Sequence, residues 1–211
     1  MPKSKAKRKK KAGAKQGGQI SWGGKPGPGA RRANLVIALL VLIGLAAGAA
    51  YWFVGARGEH EFEALAAKGQ DRLTAAVISF PNRGGGHREH GEIYYYEAQF
   101  PTSGPHDPVP TSAGTYRAPQ RPGQLVHALE HGNIVIYYDE PGGEVVKILK
   151  YWSGLYDGKW DGVIVAPAQG LAGDLVLTAW KKTLRLRTFD AALAAAFIDV
   201  NRGRGPEHPV R

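Results

Sequence analysis

The sequence predicts an α+β domain, a small mixed or antiparallel sheet with short helices, preceded by one transmembrane helix. Three observations carry this expectation. Leu35 to Val54, LVIALLVLIGLAAGAAYWFV, has twenty residues without a charge or strongly polar group, enough at helical rise to cross a bilayer core of about 30 Å. Beyond it, short β-branched or aromatic runs alternate with short helical patterns, without the regular βαβ rhythm of a doubly wound sheet. The charge is also unevenly divided. Residues 1–33 hold eleven Lys or Arg and no acid, leaving seventeen basic against eighteen acidic residues in the rest.

That division excludes one class of function. The net charge of +10 belongs to the leading segment, so the domain itself is close to neutral and is not expected to track nucleic-acid phosphates. Cysteine is absent and Met1 is the sole methionine. Thiolate metal sites, disulfides, cysteine nucleophiles and sulfur ligands for monovalent copper are thereby ruled out.

Residues 1–33, rich in Lys, Gly, Ala and Pro, cannot bury enough apolar surface to fold and are expected to form a disordered cytoplasmic tail. Residues 34–56 are the membrane helix, with Tyr51, Trp52 and Phe53 where an aromatic belt would sit and the basic tail inside. A cleaved signal peptide is the rival reading, because Ala47, Gly48 and Ala49 would suit a peptidase. The apolar run is longer than the usual 7–15 residues of such a leader, so an uncleaved single-pass anchor is expected, with the rest of the chain extracytoplasmic.

Residues 57–73 are read as a membrane-proximal helix or linker, helical over Glu59 to Lys68 and ending at Gly69. The α+β domain then covers 74–201. Thr74 to Phe80 and Ile93 to Tyr96 read as strands around a turn-rich Pro81 to Gly91. Pro122 to His131 can form a helix, with proline early and Gly132 as its stop. Asn133 to Tyr138 is a strand. Glu144 to Ser153 is a helix placing Val145, Ile148, Leu149 and Trp152 on one face and stopping at Gly154. Gly162 to Ala166, Asp174 to Trp180 and Thr183 to Arg187 are further strands, and Asp190 to Val200 is an Ala-rich helix. Residues 202–211 read as a loose polar tail.

The chemistry is concentrated in Phe100 to Asn133, which holds three of seven histidines and six of fourteen prolines. On a helix, His127 and His131 lie four apart on one face, within reach of one ion. With Glu130 they also fit the H-x-x-E-H pattern of the inverted zinc proteases, where the glutamate is the general base. His106 is held between prolines, which lowers the entropy lost on fixing a ligand. His87 and His90 could complete the set. Asp107 and Glu130 are supporting carboxylates, and Tyr116 is a candidate loop anchor; His60 and His208 are read as structural. Imidazoles with carboxylates suit copper(II) or zinc. The leading expectation is a membrane-anchored, extracytoplasmic metal-binding domain, with no nucleic-acid partner for the folded part and the protein partner open. The alternatives are a metal-dependent hydrolase using Glu130 as base and a metal-free envelope interaction module whose histidines only fasten the loop.

Three blocks carry a resemblance: PTSGPHDPVPTSAGTY from Pro101, VHALEHGNIVIYY from Val126 and LTAWKKTLRL from Leu177. Together they resemble the domain of unknown function 3105 family over about Ala75 to Pro206. The resemblance implies a membrane-proximal N-terminus and an outward-facing domain, and implies no activity. This chain departs from the family pattern at Lys181, where glycine is usual after the Ala-Trp pair. The departure puts a tight turn there in question.

Overall fold

A computed structural model describes residues 28–89, 92 and 94–211, the side chains of 28–33 excepted. The basic tail through residue 27 and His90 lie outside the described residues. The described residues divide into two units, one ending at Ala49 and the other Ala50–Arg211. The first contains the start of helix α1 (Pro28–Ala67), whose Leu35, Leu39, Leu42 and Leu45 are all more than half exposed. From Asn34 this helix is long and apolar enough to cross a membrane. It runs on without a break through Ala67.

The second unit is built on a six-stranded open sheet: β1 (Val77–Ser79), β2 (Gly114–Thr115), β3 (Ile134–Tyr138), β4 (Val163–Pro167), β5 (Leu175–Ala179) and β6 (Lys182–Leu186), in the order β1-β6-β5-β3-β4-β2. The sheet is mixed. β1, β6, β5 and β3 run antiparallel to their neighbours, while β3, β4 and β2 are parallel. Helices α2 (Gln70–Ala76), α3 (Pro122–His131), α4 (Gly143–Leu155) and α5 (Ala191–Asn201) complete the unit.

Both faces of the central strands are covered, so Asn133 to Tyr138 reads as an unbroken apolar run instead of an alternating one. Ile134, Ile136, Val163, Val165, Leu175 and Leu177 face a core shared with α4, α5 and the last turns of α1. Val135, Tyr137, Ile164 and Val176 face a second core with Leu125, Ala128 and Leu129 of α3. The segment 57–73, expected to be a membrane-proximal helix or linker, contributes to the first of these cores: Phe62 stacks edge-on against Trp152 and Tyr156 at 5.5 and 5.0 Å.

Helix α3 has its expected bounds. Pro122 opens it, and Gly132 closes it at φ 105°, a left-handed conformation that glycine adopts without steric cost. Asp190 caps α5 by accepting from the Leu193 amide at 2.9 Å. Four expectations need correction. Thr74 to Ala76 continue α2, which packs Leu73 and is tied to α5 by the Arg72–Asp190 ion pair, so the strand begins only at Val77. Tyr94 to Tyr96 are not in a strand; Tyr94 and Tyr96 pack edge to face at 4.9 Å, and the Tyr96 hydroxyl donates to the Pro105 carbonyl at 2.6 Å. Their aromatic character serves loop anchoring. Gly154 is helical, and α4 ends a residue later. The segment 202–211 is docked: Gly203 N donates to Gly132 O at 2.9 Å and Glu207 N to Glu130 O at 3.3 Å.

The β5–β6 connection keeps a tight two-residue turn, with Ala179 paired to Lys182, by placing Lys181 at φ 60°. A left-handed lysine costs about 1–2 kcal/mol that glycine avoids, partly offset by the greater freedom glycine gains when unfolded. Among the described residues Lys181 makes backbone hydrogen bonds, to Thr102 O and from Phe80 N, which glycine would retain. Lys181→Gly is expected to stabilise the domain by about 0.5–1 kcal/mol, read as a higher midpoint in urea with an unchanged slope.

Candidate metal centre

The site grows from two backbone segments and one helix. The glycine-rich strip before His87 pairs with the proline-rich loop: Gly104 N donates to Gly84 O at 2.9 Å, His106 N to Gly86 O at 3.1 Å and Arg88 N to His106 O at 2.8 Å. This short parallel ladder sets His87 beside His106. Helix α3 then brings His127 and His131 to the same place, one turn apart. Ring centroids lie 5.4 Å apart for His87 and His106, 4.7 Å for His87 and His127, 4.8 Å for His106 and His127, and 4.6 Å for His127 and His131. Four of the expected histidines therefore converge.

Two triads can be drawn in this cluster. His87, His106 and His127 each offer one ligand atom within 4.8 Å of the others, and so do His127, His131 and Glu207. Atoms bound to a common ion lie about 3–4 Å apart, a range that small side-chain rotations would reach from this arrangement.

Backbone carbonyls fix the ring protons. His106 Nδ1 donates to Gly104 O at 3.0 Å and His127 Nδ1 to Asp107 O at 2.7 Å. A carbonyl only accepts, so in both rings Nε2 keeps the free lone pair. His106 is fully buried, and its Nε2 has no hydrogen-bond partner although Glu130 Oε2 is 3.1 Å away. Burial, more than any neighbour, holds His106, His127 and His131 below the ordinary histidine value. Burial, followed by the charge of Glu207, pushes Glu130 above the ordinary carboxylate value. His106, His127 and His131 are thus biased toward the neutral imidazole, and Glu130 toward the protonated carboxyl.

A supporting layer holds these groups. Asp107, next to His106, is ion-paired with Arg88, next to His87, and both side chains are largely buried. Arg121 adds a second contact to Asp107 at 3.5 Å. The pair locks the strip to the loop and steadies the carbonyl that orients His127. Tyr116 is not part of this layer: its hydroxyl donates to Ser112 O at 2.8 Å, and its ring packs on the second core.

Three neighbours were not foreseen. Glu207 reaches His131 Nε2 at 2.9 Å, Trp160 stacks on His131 with centroids 4.0 Å apart, and His208 lies 5.1 Å from Trp160. Glu207 arrives because Gly205 fits where a side chain could not; a Cβ there would lie 2.2 Å from Glu130 O and 2.3 Å from Gly132 N. The signal was present in the sequence: Glu207 and His208 sit between Pro206 and Pro209, the same stiffening that marks His106.

A family model described as "Protein of unknown function (DUF3105)" matches residues 87–210, which include the whole cluster. No curated protein and no solved structure matches the chain.

The lowered histidines make stability depend on pH with a definite sign. Each has an ordinary value of 6.5 in the unfolded chain and a lower one when folded, so below that pH the unfolded state binds more protons. Stability of the metal-free protein should be constant above about pH 6.5 and fall as pH drops below it, by up to about 1.4 kcal/mol per pH unit for each proton. Glu130 acts in the opposite sense from pH 4.5 upward, one group against three. Urea unfolding between pH 5 and 8 in chelator checks this; a flat profile would remove buried neutral imidazoles from the account.

Proposed function

The chain belongs to the family described as "Protein of unknown function (DUF3105)", and from that premise we propose that it is a membrane-anchored domain that binds copper(II) or zinc outside the cytoplasm. The observation that carries this reading is the buried, unpartnered Nε2 of His106, 3.1 Å from a Glu130 oxygen and grouped with His87 and His127. When Glu130 is ionised, the Nε2 lone pair and the carboxylate are two acceptors facing each other, a contact that a proton or a cation between them relieves. A cation there would find two ligand atoms already in place, and no sulfur ligand belongs to the cluster to draw softer metals. His87, His106 and His127 would supply nitrogen and Glu130 the carboxylate, with His131 one turn further along α3; Asp107 orients. The basic segment ahead of the apolar helix supports an N-terminus on the cytoplasmic side.

The hydrolytic alternative has one observation of its own. Glu130 and His87 line, with Gly86, Pro206 and Glu207, a surface depression of about 300 Å³, where a carboxyl of raised pKa could act as base. Binding alone needs no substrate and is the simpler reading.

Calorimetric titration of the full chain in detergent should give micromolar or tighter binding of Cu²⁺ or Zn²⁺ near neutral pH. His106→Ala should weaken it by at least about 100-fold. Saturation at about 100 times the dissociation constant should stabilise the domain by about 2.7 kcal/mol. Unchanged stoichiometry and affinity in a His127→Ala, His131→Ala double variant would refute the site.

Orientation can be read independently, because the chain lacks cysteine. Of two single-cysteine variants in intact cells, Val109→Cys, at a residue 63% exposed, should react with a membrane-impermeant maleimide. Ser4→Cys should react only after permeabilisation. The reverse pattern would invert the topology.

A further inference from the structure

We propose that one divalent cation uses the cluster as two stations in turn, a carboxylate station of His127, His131 and Glu207 and an imidazole station of His87, His106 and His127, with His127 as the ligand common to both. This rests on the metal reading above and extends it to the route by which the ion is loaded. The two triads share His127 and no other residue. Its Nδ1 proton is committed to the Asp107 carbonyl at 2.7 Å, leaving Nε2 alone to ligate. One neutral ring nitrogen has one lone pair. It cannot serve two ions at once, so the triads are alternatives for a single ion.

The two stations differ in kind. Glu207, with 43% of its side chain exposed, contributes a carboxylate at the surface, which attracts a hydrated cation through charge. The other set replaces it with imidazoles, His106 fully buried among them, which suit copper(II) and zinc better than oxygen does. Both open on the same depression, lined by His87, Glu130 and Glu207. Loading is then a ligand substitution: the bonds to Glu207 and His131 break, bonds to His87 and His106 form, and His127 holds on throughout. No electron moves. Glu207 therefore speeds arrival and departure without belonging to the resting site. The docked segment 203–211 is what places it there, since Glu207 N donates to Glu130 O and Val210 N to Gly203 O.

The test compares rate with equilibrium, using the full chain in lipid nanodiscs and Cu²⁺ alone as the probe. Stopped-flow quenching of tryptophan emission reads loading, because Trp160 lies 4.0 Å from the His131 ring, with Trp160→Phe identifying its share; calorimetry reads stoichiometry and affinity. The expected results are one Cu²⁺ per chain and, in Glu207→Gln, a loading rate reduced at least tenfold with affinity unchanged within about threefold. His106→Ala should keep fast quenching and lose affinity. Two ions per chain, or an unchanged loading rate in Glu207→Gln, would overturn the shared-ligand route and leave the metal site standing. An affinity that falls by as much as the rate would make Glu207 an ordinary ligand of a single site, with the same consequence. Absence of binding by the unaltered chain would sink the metal reading and this inference with it.

Discussion

Two hydrogen bonds decide what the histidine cluster can do. The carbonyls of Gly104 and Asp107 take the Nδ1 protons of His106 and His127, and each ring is left with its lone pair on Nε2. Most of the surrounding structure serves to hold those carbonyls still. The ladder between the glycine-rich strip and the proline-rich loop carries Gly104, and the Arg88–Asp107 ion pair braces the residue that holds His127. Burial supplies the other requirement. In water these imidazoles would be partly protonated near pH 6.5, whereas here desolvation keeps them neutral and able to offer electron pairs.

The cluster lies away from the core that gives the domain most of its strength. Helix α3 packs Leu125, Ala128 and Leu129 on one face of the sheet, while α4, α5 and the end of α1 cover the other. His127 and His131 are thus mounted on an element fixed by apolar burial along its other side. Phe62 and Ala66 belong to the main core, so the last turns of the apolar helix are structural parts of the domain. Its C-terminal end has a comparable role on the opposite flank, where Gly205 lets the chain lie against the end of α3.

Helices were the most legible part of this sequence, since their signals are local. Proline at the start and glycine at the end bound α3, and the offsets of Val145, Ile148, Leu149 and Trp152 marked α4. The aromatic run ending at Tyr96 misled because tyrosines enriched in strands also anchor loops, as the Tyr96 bond to Pro105 does. Two-residue β2 had no periodicity to read. Among site residues, the helical spacing of His127 and His131 and the prolines around His106 pointed to the cluster. Glu207 carried the same proline flanking, whereas Arg88 gave no comparable signal, because its partner Asp107 lies far off in the chain.

By itself the sequence determined the apolar helix, the confinement of positive charge to its leading side, the sulfur-free donor set and the helix that carries two of the histidines. Each depends on composition or on neighbours within one turn. Only the tertiary structure decided that His87 meets His106, that Glu207 reaches His131, and which nitrogen of His106 and of His127 is free. Those outcomes depend on backbone pairing between distant segments and on which carbonyl happens to face a ring, and no local pattern encodes either.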